Sequence, residues 1–277
     1  MYEGYWKLKE KPFENVADSH FLYHSKKHDE ALMRMLYAVE EKKGAAMLTG
    51  EYGSGKTVLV KEIMNRLEKQ VDNYRTVLII NPAIPQLELL GEIIYQLGRS
   101  IPVEMKKAEL LRSLNDVLHK NIEEDRHVVV IIDEAQAIGK EEVFEELRLL
   151  LNLQMGEGFL LTLLLAGQPE LGEKMKRLRQ FEQRLSIKYH LSALNQEETK
   201  GYIHHRCKVA GAGRELFTDV ACNLIYTGSG GIPREINNIC DISLLLGAGR
   251  KVTQINEEIA KEMIEELKGS KLSGAQE

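Results

Sequence analysis

The chain has 277 residues, of which 43% are hydrophobic and 29% charged, the profile of an ordinary globular protein. That apolar content excludes a disordered chain, 22 glycines and 6 prolines exclude a collagen-like one, and 3 cysteines exclude a disulfide scaffold. A net charge of −5 excludes a chain that grips nucleic acid through its overall charge and leaves open only a local basic patch. The longest near-apolar run, Phe159 to Ala166 with one Thr inside, falls far short of the ~20 residues that span a bilayer. The opening MYEGYWKLKEKPF lacks the apolar core of a signal peptide, so the expected address is the cytoplasm. Cys207, Cys222 and Cys240 form no C-x-x-C pair and read as small buried hydrophobes.

In chain order, short apolar strands alternate with helical stretches up to about residue 194. Ala45–Thr49, Thr76–Ile80, His127–Ile132 and Phe159–Ala166 are predicted strands, and a shorter fifth runs from Leu185 to Leu191. Near-continuous apolar runs of this kind suit strands buried on both faces of a parallel sheet. The segments 56–69, 86–98, 104–121 and 140–153 are predicted helices between them. This alternation predicts an α/β layer fold with right-handed crossovers. After Asn195 the strand signal disappears, and 196–210, 218–227, 233–247 and 255–268 read as helices. In the last of these, Ile255, Ile259, Met263 and Leu267 recur at i+4 and form one apolar stripe. The predicted division is an α/β domain over 1–194, a small all-helical domain over 195–268, and a frayed tail over 269–277.

The strongest motif is Gly50-Glu-Tyr-Gly-Ser-Gly55-Lys56-Thr57, which fits G-x-x-x-x-G-K-[ST] between a predicted strand and a predicted helix. Glycines let the backbone curl so that successive N–H groups point at a phosphate, and the helix N-terminus adds its positive dipole end. Lys56 supplies a mobile charge to the β and γ phosphates, and the Thr57 hydroxyl can ligate Mg²⁺. The expected nucleotide contacts are Gly50, Glu51, Tyr52, Gly53, Ser54, Gly55, Lys56, Thr57 and Val58. A second motif closes the strand His127–Ile132 with Asp133-Glu134. The carboxyl edge of a parallel sheet is where ligands bind, and only this acidic pair caps an apolar strand. Asp133 is expected to hold Mg²⁺, and Glu134 to accept a proton from an attacking water.

Seven segments in order, MYEGYWKLKEKPF, LTGEYGSGKT, VVIIDEAQAI, EELRLLLNL, LLAGQPEL, FEQRLSIKYHLSAL and GGIPREIN, resemble the AAA+ ATPase module of the secretion-pathway protein A (ExeA-type) family. The resemblance runs from Met1 to about Leu267. It implies a P-loop AAA+ domain with a five-stranded parallel sheet and a helical lid, the strand Phe159–Ala166 lying between the phosphate-loop strand and the acidic one. It implies ATP as substrate, with Mg²⁺. It places Gln168 as the first sensor of the γ-phosphate, with a turn residue before Pro169 as the plainer reading. It places Arg234 as the second sensor and Arg184 as an arginine finger, with Arg177 and Arg179 as competitors. Asn81 closes the second strand and is either a restraint on Glu134 or a turn-forming residue ahead of Pro82. The resemblance also makes 1–44 an adenine-side segment, in which Phe13, Phe21 and Tyr23 form a flap or simply pack.

Two functions from different classes follow. The first is an oligomeric ATPase, a ring or filament, serving a secretion, pilus or exopolysaccharide assembly through envelope protein partners. The second is a DNA-binding ATPase regulating transposition target selection, since transposition ATPases share this module. Lys174, Lys176, Arg177 and Arg179, on one predicted helix, are the basic candidates for DNA or for an adjacent subunit. The membrane span and peptidoglycan-binding region of fuller family members are missing from this sequence, so service to another assembly or to a mobile element is expected.

Overall fold

A computed structural model describes residues 1–100, 106–156 and 158–273. The chain divides into two compact units, one made of Lys27–Tyr52 and Lys56–Leu191, the other of Met1–Lys26, Gly53–Gly55 and Ser192–Glu277. Among the described residues, no helix is long and apolar enough to cross a membrane.

The first unit is built on a parallel sheet. Its strands are β1 (Ala45–Gly50), β2 (Tyr74–Ile79), β3 (His127–Ile132), β4 (Leu161–Gly167) and β5 (Leu185–Leu191), in the order β2-β3-β4-β1-β5. The strand that carries the phosphate loop and the strand that carries the acidic pair are therefore separated by β4, the arrangement the resemblance implied. The three inner strands are buried along their whole length, which is why they read as near-continuous apolar runs. The edge strands carry more polar side chains, and β5 is fully buried only at Leu185 and Leu191. Helices α1 (Lys26–Glu40), α2 (Lys56–Glu68), α3 (Gln86–Gln96), α4 (Lys107–Glu123), α5 (Glu141–Leu150) and α6 (Pro169–Arg177) accompany the sheet. Ile93, Leu114, Leu118, Leu147 and Leu171 share one core with Val128, Val130, Ile132, Leu163 and Leu165. Burial of each such side chain contributes about 1.5–3 kcal/mol before ordering costs are counted. Because all five strands are parallel, Gly50, Ile132 and Gly167 end at one edge, and the next residues of each strand open onto the same place.

The second unit holds helices α7 (Gln196–Val209), α8 (Asp219–Ser229), α9 (Pro233–Gly249) and α10 (Glu257–Ser273). A reciprocal cap starts α7: the Asn195 side chain accepts from the Glu198 N–H, and the Glu198 carboxylate from the Asn195 N–H, both at 2.9 Å. The Thr218 hydroxyl accepts from the Ala221 N–H at the head of α8.

Several expectations need correction. Residues 1–26 belong to the helical unit, while only the later part of the expected 1–44 segment goes with the sheet. Trp6 and Phe13 lie in the same core as Ile203, Phe217, Ile236 and Leu244, and the Trp6 indole N–H donates to the Leu244 carbonyl at 2.8 Å. These partners are some two hundred residues away, so no local pattern announces them. Helix α1 has no counterpart among the predicted elements. Phe159 lies outside the sheet: Gly158–Phe159 pairs antiparallel with Gln154–Met155. Ile255 precedes α10 and bridges to Phe217, leaving the helical stripe to start at Ile259. Residues 269–273 continue α10, so that part of the expected tail is helical, and 274–277 lie outside the described residues, as do 104 and 105 of the expected helix 104–121. Arg179 is on a separate turn, Arg179–Glu182, and so does not share a helix with Lys174, Lys176 and Arg177.

Candidate nucleotide site

The phosphate loop follows β1 and ends where α2 begins at Lys56. Gly53 and Gly55 adopt positive φ, 78° and 102°, a conformation that L side chains resist, and this explains glycine at those two places. Lys56 is buried, and its ammonium donates to the Gly50 carbonyl at 2.7 Å and the Glu51 carbonyl at 2.9 Å. Burial lowers its pKa, while the Glu134 and Asp133 carboxylates pull the other way. Glu51 and Tyr52 are exposed, Ser54 is buried, and Val58 is half-buried on the first turn of α2.

Asp133 continues the sheet beyond β3, its N–H donating to the Ile79 carbonyl at 2.9 Å. Its carboxylate is buried, and each oxygen accepts one hydrogen bond. Oδ2 accepts from the Thr57 hydroxyl at 2.8 Å, and Oδ1 from the Glu134 N–H at 2.9 Å. Burial raises its pKa, and the Thr57 hydrogen bond opposes that. A hydroxyl and a carboxylate held side by side are hard oxygen donors of the kind Mg²⁺ prefers, so Thr57 and Asp133 fit that ion.

Glu134 adopts left-handed backbone, φ 50°. Its Oε2 accepts from the side-chain amides of Gln136 and, at 3.5 Å, Gln168. Gln168 follows β4 at the N-cap position of α6, and its side chain makes no capping hydrogen bond there. The geometry thus brings Lys56, Thr57, Asp133, Glu134 and Gln168 together at one sheet edge. It adds Gln136, which has no expected role from sequence, although it stands two positions after Glu134.

Other expected residues lie elsewhere. Asn81 accepts from the Ala83 N–H at 3.4 Å and so serves its own turn, the plainer of its two readings, with no hydrogen bond to Glu134. Arg184 precedes β5 at the edge where the strands begin, and its guanidinium donates to the Asn152 side chain at 3.0 Å. Arg177 and Arg179 are exposed. Lys174 turns inward, donating to the Gln136 and Ile138 carbonyls, and Lys176 pairs with Glu173. In the helical unit the Arg234 N–H donates to the Gly53 carbonyl at 3.2 Å. Phe13 and Phe21 are core residues there. Phe13 meets Phe217 edge-on at 5.8 Å, and Arg206 lies over the Phe21 ring at 4.7 Å. Tyr23 meets Tyr202 edge-on at 6.0 Å. Packing accounts for Phe13 and Phe21, and the flap loses two of its three aromatics.

Comparison with known proteins gives a family match and likenesses of fold. The AAA domain family matches residues 39–175. General secretion pathway protein A of Aeromonas hydrophila is 34% identical over 252 residues, covering 90% of this chain and 45% of that protein. The chain spans less than half the length of the curated relatives it matches. Among solved structures, the Aeropyrum pernix ORC2 protein in its ADPNP-ADP complexes superposes with a TM-score of 0.65 at 20% identity, covering 88% of this chain and 68% of that one. Drosophila ORC bound to DNA gives a TM-score of 0.68 at 13% identity, covering 96% of this chain and 65% of that one. These two are likenesses of fold. By sequence and by fold the chain belongs to the AAA+ family and is a relative of general secretion pathway protein A.

Proposed function

We propose that this chain binds ATP with Mg²⁺ and hydrolyses it to ADP and phosphate, working as an oligomer in the assembly of a secretion, pilus or exopolysaccharide system. The observation that carries the reading is the pairing of Thr57 with Asp133 at the head of α2, with Glu134 one residue further and engaged elsewhere. Loop N–H groups and Lys56 hold the β and γ phosphates. Thr57 and Asp133 hold Mg²⁺, which when bound neutralises charge on the phosphate oxygens. Glu134 takes a proton from a water, whose oxygen attacks the γ-phosphorus as the bond to the bridging oxygen breaks and ADP leaves. Gln168 stands beside that carboxylate, where it can sense the γ-phosphate, and Arg234 serves as the second sensor from the helical unit.

The test separates binding from chemistry. Lys56→Ala is expected to weaken ATP binding, while Glu134→Gln keeps binding and loses turnover. Equal turnover in the wild type and Glu134→Gln refutes the catalytic assignment.

The secretion role is supported by the name of the Aeromonas relative, and the partners proposed with it are proteins of an envelope assembly. The DNA-binding alternative draws on the fold shared with the DNA-bound Drosophila complex. Its basic candidates are reduced, because Lys174 is spent on backbone carbonyls and Lys176 on Glu173, which leaves Arg177 and Arg179. DNA binding whose affinity falls steeply with salt would favour the alternative.

A further inference from the structure

Gln136 sits between the two strand ends that matter most for hydrolysis. Its Nε2 donates to Glu134 Oε2, and its Oε1 accepts the Gln168 N–H at 3.0 Å. That fixes the orientation of the amide, since turning it over would set oxygen against carboxylate and NH₂ against N–H. Lys174, reaching across from α6, donates to the carbonyls of Gln136 and Ile138 and pins the main chain from which this side chain springs. Gly167 leaves the space: a Cβ there would come 2.7 Å from Gln136 Oε1 and 2.9 Å from Leu171 Cδ2. Glycine at the last position of β4 is thus explained by the closeness of a neighbouring amide, with no unusual backbone angle to call for it.

We propose that Gln136 is a positioning residue for ATP hydrolysis, tying the Glu134 carboxylate to the main chain at the end of β4 so that the sensor strand sets where the proton acceptor points. The assignment rests on the ATPase reading above and gives Gln136 no contact with the nucleotide. It also replaces Asn81 as the restraint on Glu134.

Gln136→Met keeps length and bulk and removes both hydrogen bonds. It is expected to lower kcat about tenfold or more, the effect of losing a hydrogen bond to a charged group, with KM for ATP and the affinity for a non-hydrolysable analogue changed less than about twofold. Placed in a Glu134→Gln background, Gln136→Met should change the residual rate less than about twofold, because its effect acts through Glu134. Gly167→Ala leaves both glutamines intact, pushes the Gln136 amide aside, and should reproduce the fall in kcat at unchanged affinity; it keeps the test available if Gln136→Met does not fold. A wild type that hydrolyses ATP alongside a Gln136→Met chain of equal kcat overturns the positioning role and leaves the ATPase reading standing. Loss of analogue binding together with kcat, or full additivity with Glu134→Gln, also overturns it, since a merely structural role behaves that way. A wild type without turnover overturns both.

Discussion

Arg184→Ala is expected to remove ATP turnover and spare ATP binding, because the Arg184 side chain lies too far from its own chain's phosphate loop to reach a nucleotide there. Leu185, the next residue, registers with Ala45 at the start of β1, while the phosphate loop leaves that strand at Gly50. At ~3.3 Å per residue those two edges are about 17 Å apart, further than a side chain extends. A surface that meets a different surface on the next copy makes a head-to-tail contact, the kind that builds rings and filaments. An arginine supplied across such a contact contributes about 10³–10⁵ in rate. Steady-state hydrolysis should therefore rise per mole of wild-type protein as concentration rises, and Arg184→Ala should stay flat near the basal rate. Mixing Arg184→Ala with Glu134→Gln, each inactive alone, gives the sharper assay. In a random equal mixture about a quarter of head-to-tail contacts join an intact Glu134 to an intact Arg184, and activity should return in that proportion. Co-assembly of the two variants without any return of activity refutes the trans assignment, and Arg177 and Arg179 become the residues to replace.

Two predictions concern stability. His127 is buried with its Nε2 2.8 Å from the Thr162 hydroxyl, and burial holds its pKa down at about 4 against an ordinary 6.5. As pH falls below 6.5 the unfolded chain binds this proton first, so about 3 kcal/mol of stability present above that pH is lost progressively towards pH 4. Urea midpoints across this range should fall less steeply for His127→Gln than for the wild type, and equal slopes refute the account. Trp6→Ala should cost the helical unit about 3–5 kcal/mol, the range for deleting a large core aromatic. The chain has a single Trp, so Trp6 fluorescence follows unfolding of this unit in the wild type and circular dichroism follows it in the variant; an unshifted helical transition refutes the packing described for residues 1–26.

What was legible in the sequence was chemistry confined to a few consecutive residues. A phosphate cradle needs glycines at fixed offsets before a helix, and an acid pair at the end of a buried strand follows from an apolar run, so Gly50–Thr57 and Asp133-Glu134 could be found from local pattern alone. Inner strands β1, β3 and β4 were equally plain, because burial on both faces leaves few polar positions and none at helical spacing. Contacts made at a distance left no such mark. Arg206 donates to the Pro12 and Glu14 carbonyls, and Tyr202 to Asn237, so the alliance of the N-terminal segment with the helices exists only after folding. The basic run after Pro169 looked like one charged face, yet Lys174 is drawn inward by two carbonyls and Leu178 breaks the helix before Arg179. Asn81 stands at a strand end and serves its own turn, whereas the Gln136 amide, already beside Glu134, meets the Gln168 N–H only because the ends of β3 and β4 are adjacent.

The site depends on separating two neighbouring carboxylates, and the backbone does this. Asp133 keeps the sheet's hydrogen bonding, its N–H on Ile79, and so faces the head of α2, where Thr57 fixes one of its oxygens. One residue later the chain turns left-handed at Glu134, a conformation that costs a non-glycine residue about 1–2 kcal/mol. Without that turn the two acids would follow strand alternation to opposite faces of the sheet. With it, Glu134 comes to the end of β4 and the two glutamine amides, while its own N–H closes on the Asp133 carboxylate. Stability alone would favour glycine at this position, so the carboxylate there is kept at a cost to the backbone. The same turn accounts for the different surroundings of the two acids. Asp133 is buried among donors already committed to it and suits a fixed metal ligand, and Glu134 is held by neutral amides that can release it to a water.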